Sequence, residues 1–104
     1  MTQKIKLADL PLFDMAEHLK TDEDIANYLT LALQEDDPSE LTHALGMIAR
    51  ARGMTEVAKI SGLTREALYK ALRPNSQPRF DTISRVCNAL GVRLVAQASH
   101  TQAA

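Results

Sequence analysis

The sequence contains a single cysteine, few glycines and no long apolar run, and each of these shortages excludes a class of protein. Cys87 has no second cysteine with which to form an internal disulfide, so the chain is not a disulfide scaffold and suits a reducing compartment. The four glycines are scattered and cannot form a glycine-rich phosphate loop. The apolar runs fall far short of the roughly 18 residues that a membrane span needs, and the N-terminus lacks the apolar stretch of a signal peptide. We therefore expect a cytoplasmic protein that has no contact with a membrane.

Residues that bind metals or act as nucleophiles are equally scarce. His18, His43 and His100 have no partner at the spacing of a zinc site, and no serine or cysteine stands in a nucleophile motif. Cys87 falls on the apolar side of a predicted helix, where a free cysteine usually packs as a small hydrophobic residue. We therefore predict no cofactor, no metal and no catalytic residue. The disfavoured alternative is an enzyme site assembled only in the folded chain.

What the chain does contain is a strongly uneven distribution of charge. Its 104 residues suit one globular domain, and its net charge of −1, taken alone, argues against nucleic acid as a partner. Residues 1–40, however, contain ten acidic residues and three lysines, whereas residues 41–104 contain nine basic residues and three acidic ones. This asymmetry predicts an anionic partner for the C-terminal part and a cationic partner for the N-terminal part. The alternative is that both charged surfaces only face solvent.

The N-terminal half has the periodicity and capping signals of helices. A short helix is predicted over residues 14–20, and a clearer one begins after the N-cap Thr21 with acidic residues in its first turn. Five apolar residues of this second helix have the spacing of one buried stripe, namely Ile25, Tyr28, Leu29, Ala32 and Leu33. Asp37 is the predicted N-cap of a helix over residues 38 to about 52, which Gly53 ends. Within that helix, Gly46 indicates close contact with another helix.

The C-terminal half predicts three further helices and one strand. Thr55 and Thr64 are predicted N-caps of two short helices, and the prolines of residues 74–78 force a loop after them. Asp81 is the predicted N-cap of the last helix, whose inward residues are Ile83, Val86, Cys87 and Leu90. Residues 92–98 are rich in β-branched and apolar residues, which predicts a short strand. Because no other strand is evident, we expect it to pair with the same strand of a second copy.

The two short helices, joined by a three-residue turn, have the dimensions of a helix-turn-helix. Ala58 is small where the helices would cross, Gly62 can adopt the positive φ of the turn, and Leu68 is apolar where the unit meets its core. The residue before the turn glycine is usually apolar in such units. Here it is Ser61, preceded by Ile60, which predicts a slight rotation of the first helix.

The stretch GMTEVAKISGLTREALYKALRPNSQPRFDTISRVCNALGVRL resembles the Cro/CI-type, lambda-repressor-like helix-turn-helix domain, and the resemblance covers about residues 38–95. Within that class, ALGMIARARGM, TREALYKAL and PRFDTISRVCNALG resemble the HigA-like addiction-module antidote proteins, as does the leading segment FDMAEHLKTDEDIANYLTLAL. The resemblance implies an all-α protein with three parts. These are an acidic N-terminal helical extension (residues 1–37), a lambda-repressor-like helix-turn-helix domain (38–91), and a short C-terminal strand and tail that is a candidate dimer contact (92–104).

The resemblance also implies that the helix over residues 65–72 reads operator DNA in the major groove. Arg65 is the best candidate for direct readout, because a guanidinium can bond guanine O6 and N7 together. Glu66 can accept from cytosine N4 or can pair with Lys70. Tyr69 projects from the same side and either contacts phosphate or a thymine methyl group, or packs half-buried.

Further candidate residues would contact the DNA backbone. Lys70, Arg73 and Arg79 are predicted phosphate ligands, which give affinity and register but no sequence information. Thr55 and Thr64 can each offer a helix N-terminus to a phosphate, although both can equally be simple caps.

For the acidic half, the resemblance implies a role in neutralising a RelE/ParE-like toxin, a small basic ribonuclease encoded by a neighbouring gene. The candidate toxin-binding residues are Asp22, Glu23, Asp24, Tyr28, Glu35 and Asp36. Their charge suits a basic partner. The alternative is that residues 14–35 cover the core and show their charge to water.

These inferences combine into one functional hypothesis. The chain is predicted to be a homodimeric antitoxin of a type II toxin–antitoxin module that binds its toxin and represses its own operon. One alternative is a stand-alone helix-turn-helix repressor without a toxin partner. The other is a toxin-binding protein whose helix-turn-helix is vestigial.

Overall fold

A computed structural model describes residues 17–99, which contain five α-helices and no β-strand. The helices are α1 (Asp22–Leu33), α2 (Ser39–Arg52), α3 (Met54–Ser61), α4 (Arg65–Leu72) and α5 (Phe80–Ala89). This part of the chain is therefore all-α, as predicted. Of the helix predicted over residues 14–20, residues 14–16 lie outside the described residues, residues 17 and 18 are helical, and residues 19 and 20 are not. No helix within the described range has both the length and the apolar character that crossing a membrane requires.

Helix α1 begins with a capping box. The Thr21 hydroxyl accepts from the Asp24 backbone N–H at 3.0 Å, and the Asp24 carboxylate accepts from the Thr21 N–H at 3.2 Å. Ile25 and Leu29 are buried against α2, whereas Leu33, the last residue of the predicted stripe, is 49% exposed. The predicted stripe is thus buried in its first turns and emerges into solvent at its end.

Helix α2 packs as predicted, but it begins at Ser39 with Pro38 as its N-cap, so the prediction of Asp37 as the N-cap is wrong. The Asp37 carboxylate accepts from both the backbone N–H and the hydroxyl of Ser39, at 3.0 and 2.9 Å. These two bonds lower the pKa of Asp37, because they favour its charged form. A Cβ atom at Gly46 would lie 3.1 Å from the carbonyl oxygen of Leu72 in α4. The predicted close contact at Gly46 is therefore confirmed, and it joins α2 to α4.

Two further predicted N-caps, Thr55 and Asp81, are also wrong. Helix α3 begins at Met54, directly after Gly53, whose φ of 109° ends α2 and starts the next helix without an intervening residue. Thr55 therefore lies inside the first turn of α3 and is not its cap. Helix α5 begins at Phe80, so Asp81 is also inside its first turn. There the carboxylate pairs with Arg85 one turn later, at 3.3 Å.

The end of α3 keeps the usual register, and the predicted rotation is not observed. Ser61 is buried and Ile60 is 58% exposed. The buried hydroxyl donates to the Ala58 carbonyl oxygen at 3.1 Å and accepts from the Leu63 N–H at 3.4 Å. A serine can therefore occupy this usually apolar position because its polar group is satisfied by the adjacent backbone. Gly62 follows with a φ of 81°, the left-handed conformation predicted for the turn.

Helix α2 lies at the centre and packs against α1, α3 and α4, while α3 packs against α5. The largest fully buried side chains come from α1, α2, α4, α5 and the residue after α5, and they are Ile25, Leu45, Ile48, Leu68, Val86, Cys87 and Leu90. This shared core fixes the inner face of each helix. It leaves the outer faces of α1 and α4 free for other roles.

The C-terminal strand is not confirmed. Residues 92–99 have no regular secondary structure, and no strand lies beside them within residues 17–99. Val92 and Leu94 pack partly against the core, whereas Val95 is 76% exposed. Because a strand needs a hydrogen-bonded neighbour, this segment forms none with the part of the chain that the structure describes.

Candidate nucleic-acid interface

Helix α4 has one buried face and one exposed, polar face. Leu68 and Leu72 are 0% and 3% exposed and hold the helix on the core. The Thr64 hydroxyl caps it by accepting from the Ala67 N–H at 2.9 Å, as predicted. The helix therefore begins at an exposed end, and Arg65 is its first residue.

The sequence did not predict the interaction between Arg65 and Tyr69. Arg65 Nη2 donates to the Tyr69 hydroxyl at 3.1 Å, and the guanidinium carbon lies 5.4 Å from the centroid of the tyrosine ring. Their i,i+4 spacing on α4 brings the two side chains together. Tyr69 thus restrains the guanidinium through one of its N–H groups, and the other donors of Arg65 are left for a ligand.

Several basic side chains around α4 have no acidic partner among residues 17–99. Four exposed cations form no ion pair within the described part of the chain, and they are Lys59, Lys70, Arg73 and Arg79. The proposed pairing of Glu66 with Lys70 is also not observed there, although both side chains are exposed. The surface formed by α3, α4 and the following loop therefore has an excess of uncompensated positive charge, which is what binding to a phosphate backbone requires.

The two threonines differ in how they face this surface. The Thr64 hydroxyl is already used as a cap, whereas Thr55 is exposed in the first turn of α3. Lys59 follows Thr55 by one helical turn and was missed as a candidate. Its spacing from Thr55 is the signal that would have found it.

The structure does not bring the six candidate toxin-binding residues together. Asp22, Glu23 and Asp24 lie in the first turn of α1, and Glu35 and Asp36 follow its end. A helix of 12 residues separates these groups by about 18 Å. Tyr28 lies between them and packs partly against the core.

Two of the acidic residues at the start of α1 have roles in the fold. Asp24 completes the capping box, and Asp22 Oδ1 lies 3.5 Å from Arg52 Nη2 at the end of α2. A Cβ atom at Gly91, after α5, would lie 2.7 Å from the Asp22 carboxylate. Asp22 thus lies where the start of α1, the end of α2 and the end of α5 meet.

Cys87 lies in the core, where it is 1% exposed. Burial raises the pKa of its thiol to about 11, so the thiol is protonated at neutral pH. Within residues 17–99, no group of three or more histidine, cysteine or acidic side chains is arranged to hold a metal ion.

Comparison with known proteins identifies relatives of the whole domain. A family described as "probable addiction module antidote protein" matches residues 9–98. An uncharacterized protein of Haemophilus influenzae strain Rd is 46% identical over 87 residues, which cover 84% of this chain and 90% of that protein. No solved structure matches.

Proposed function

We propose that this chain, which belongs to the family of probable addiction module antidote proteins, is a cytoplasmic antitoxin. We propose also that it represses its own operon. The family supports the antitoxin role. The partner would be a small basic toxin of the RelE/ParE-like type, encoded by a neighbouring gene, and the antitoxin would neutralise it by direct binding. The DNA-binding part would be the Cro/CI-type helix-turn-helix over residues 38–91, with α4 as its recognition helix.

The observation that carries the DNA-binding proposal is the exposed face of α4. Its cations form no ion pair within residues 17–99, and they lie opposite two buried leucines. In the major groove, Arg65 would bond guanine O6 and N7, which is worth about 1–3 kcal/mol of discrimination. Lys70 and Arg73 would bind phosphates on either side, and so contribute affinity that is independent of sequence.

A dimer would place two copies of α4 in successive major grooves about 34 Å apart, at an operator with two-fold symmetry. Residues 92–99 are the proposed dimer contact. Their exposed Val95 would be covered by the same segment of a second copy. Bound at its own promoter, the dimer would block the polymerase sterically.

The DNA-binding proposal is tested by gel shift with the promoter duplex of its own gene and a scrambled duplex. Arg65→Ala should remove most of the preference for the promoter. Lys70→Ala should weaken binding to both duplexes and reduce the salt dependence by about one unit of slope. Lys20→Ala, which removes an exposed cation outside the α3–α4 unit, is the matched control and should change neither. If Arg65→Ala and Lys70→Ala bind both duplexes with the affinity of the wild type, α4 is not the recognition helix.

The antitoxin proposal is tested by co-expression with the product of the neighbouring gene. The expected results are a purified complex and restored growth of cells that the partner alone inhibits. Promoter binding without either result would favour the alternative, a stand-alone repressor.

A further inference from the structure

A groove of about 620 Å³ opens at the C-terminal end of α1, between α1, the start of α2 and the loop before α5. Its apolar lining includes Leu33, Leu41, Pro78 and Ile83, and its rim carries Glu35 and Asp37. Among residues 17–99, no basic residue lines it. We call this feature the α1–α2 groove.

The last turn of α1 contributes exposed apolar surface to this groove. Leu33 is 49% exposed and lines the groove, whereas Leu31, which is 62% exposed, lies two residues earlier on a different face of the helix. Single exposed leucines are common on protein surfaces. Here Leu33 belongs to an apolar groove with acidic residues at its rim, and this combination is typical of a protein–protein interface.

The acidic residues at the two ends of α1 differ in what they bind. At the start, Asp22 faces Arg52 and Asp24 completes the capping box, so both carboxylates have partners within the fold. At the end, Glu35 forms no ion pair within the described residues and lies at the rim of the groove. The end of α1 is therefore where unused negative charge and exposed apolar surface coincide.

We propose that the α1–α2 groove is the surface that binds the toxin, through a toxin segment with apolar side chains flanked by lysine or arginine. This inference rests on the proposed antitoxin function and assigns its surface. The apolar side chains would fill the groove against Leu33 and Ile83, and the cations would lie beside Glu35 and Asp37. The groove matches such a segment in charge because its rim is acidic and the described residues that line it include no cation.

The experiment measures binding of the purified product of the neighbouring gene to antitoxin variants by isothermal titration calorimetry at low and high salt. The double variant Leu33→Ser/Leu41→Ser, which changes two leucines that line the groove, should weaken binding by about 30-fold or more, as expected when central apolar anchors are lost. Glu35→Arg should weaken it more at low salt than at high salt, because its effect is electrostatic.

Matched controls lie elsewhere on the molecule. Ile60→Ser removes an apolar side chain that is 58% exposed, and Glu23→Arg reverses an acidic side chain at the other end of α1. Both should bind within about twofold of the wild type, a difference well under 1 kcal/mol. Circular dichroism melting of each variant checks the fold. Because Glu35 lies outside the helices, Glu35→Arg keeps the test valid if the double variant unfolds.

Each other outcome overturns the inference in a recognisable way. Wild-type affinity in the double variant and in Glu35→Arg would exclude the groove, while the complex itself would still support the antitoxin function. Absence of any complex with the wild-type protein would remove both proposals together. If the double variant changes the mass of the antitoxin alone in solution, the groove binds a second copy and not the toxin.

Discussion

Replacing Tyr69 with phenylalanine removes one hydroxyl and keeps the ring that lies 5.4 Å from the Arg65 guanidinium. Water competes for both side chains, since Tyr69 is 39% exposed, so we place the hydrogen bond at about 0.5 kcal/mol, the low end of the usual range. The cation–π contact between the ring and the guanidinium contributes about 0.5–1 kcal/mol more, as at other exposed sites of this kind. The hydrogen bond and the cation–π contact together restrain the guanidinium before the protein binds DNA.

If this restraint is transmitted in full to base discrimination, three variants form a graded series. Tyr69→Phe should reduce the preference for the promoter duplex about twofold, and Tyr69→Ala about 5- to 10-fold. Arg65→Ala removes the readout group itself and should reduce it by about 1–3 kcal/mol. The assay is fluorescence anisotropy with the promoter duplex and with duplexes in which each G·C pair of a half-site is changed in turn.

A double-mutant cycle separates restraint of Arg65 from direct contact with DNA. When Arg65 is already alanine, Tyr69→Ala should change the preference less than about twofold, because it has no guanidinium left to position. Equal losses in both backgrounds would refute the reasoning and would place Tyr69 itself on the DNA. Lys70→Ala serves as the control, since it should weaken binding to all of these duplexes alike.

Three further predictions concern stability, each measured by urea denaturation. Leu68→Ala, at a fully buried position, should lower the free energy of unfolding by about 2–5 kcal/mol, and a loss below about 1 kcal/mol would contradict the assigned core. Ser61→Ala should change it by less than about 1 kcal/mol, because the backbone N–H that the hydroxyl accepts from also donates to the Ala58 carbonyl oxygen. Hydrogen bonds from Ser39 lower the pKa of Asp37 below its ordinary 3.8. The charged Asp37 carboxylate therefore stabilises the folded state at pH values above 3.8, and this stabilisation is lost as the pH falls through the lowered pKa. Between about pH 5 and pH 2, the free energy of unfolding should therefore fall less for Asp37→Asn than for the wild type. An identical fall in both proteins would contradict a stabilising role of the Asp37 carboxylate.

The elements that the sequence predicted correctly depend on interactions over a few residues. The caps at Thr21 and Thr64 each join a hydroxyl to a backbone N–H three residues later. Gly62 adopts a left-handed conformation that its lack of a side chain favours. Such signals are complete within a short stretch, so they can be recognised without the rest of the fold.

The predictions that failed lacked information from outside the local stretch. Thr55 and Asp81 are residue types that favour N-cap positions, but Gly53 sets the start of α3 and Arg85 binds the Asp81 carboxylate. Residues 92–98 have the composition of a strand, but a strand also needs a neighbouring strand. Composition therefore indicated what these residues favour, and their partners decide what they form.

The candidate site shows the same limit more clearly, because its parts are distant in sequence. Asp22 and Arg52 are 30 positions apart, and their pairing is what distinguishes the two acidic ends of α1. Arg65 and Tyr69 are one helical turn apart, so their interaction was accessible to sequence reasoning. It was missed because both residues were assigned to DNA and not to each other.

The proposed DNA surface and the α1–α2 groove share one segment of the chain. Residues 75–78 line the groove, and the exposed cations Arg73 and Arg79 stand on either side of that stretch. The Ser76 hydroxyl donates to the Ala71 carbonyl oxygen, which ties the segment to the end of α4. A toxin seated in the groove therefore contacts the same loop whose ends would bind phosphate, so the two binding events should not be independent. Thermodynamic linkage then requires that whatever factor the toxin imposes on DNA affinity, DNA imposes on toxin affinity.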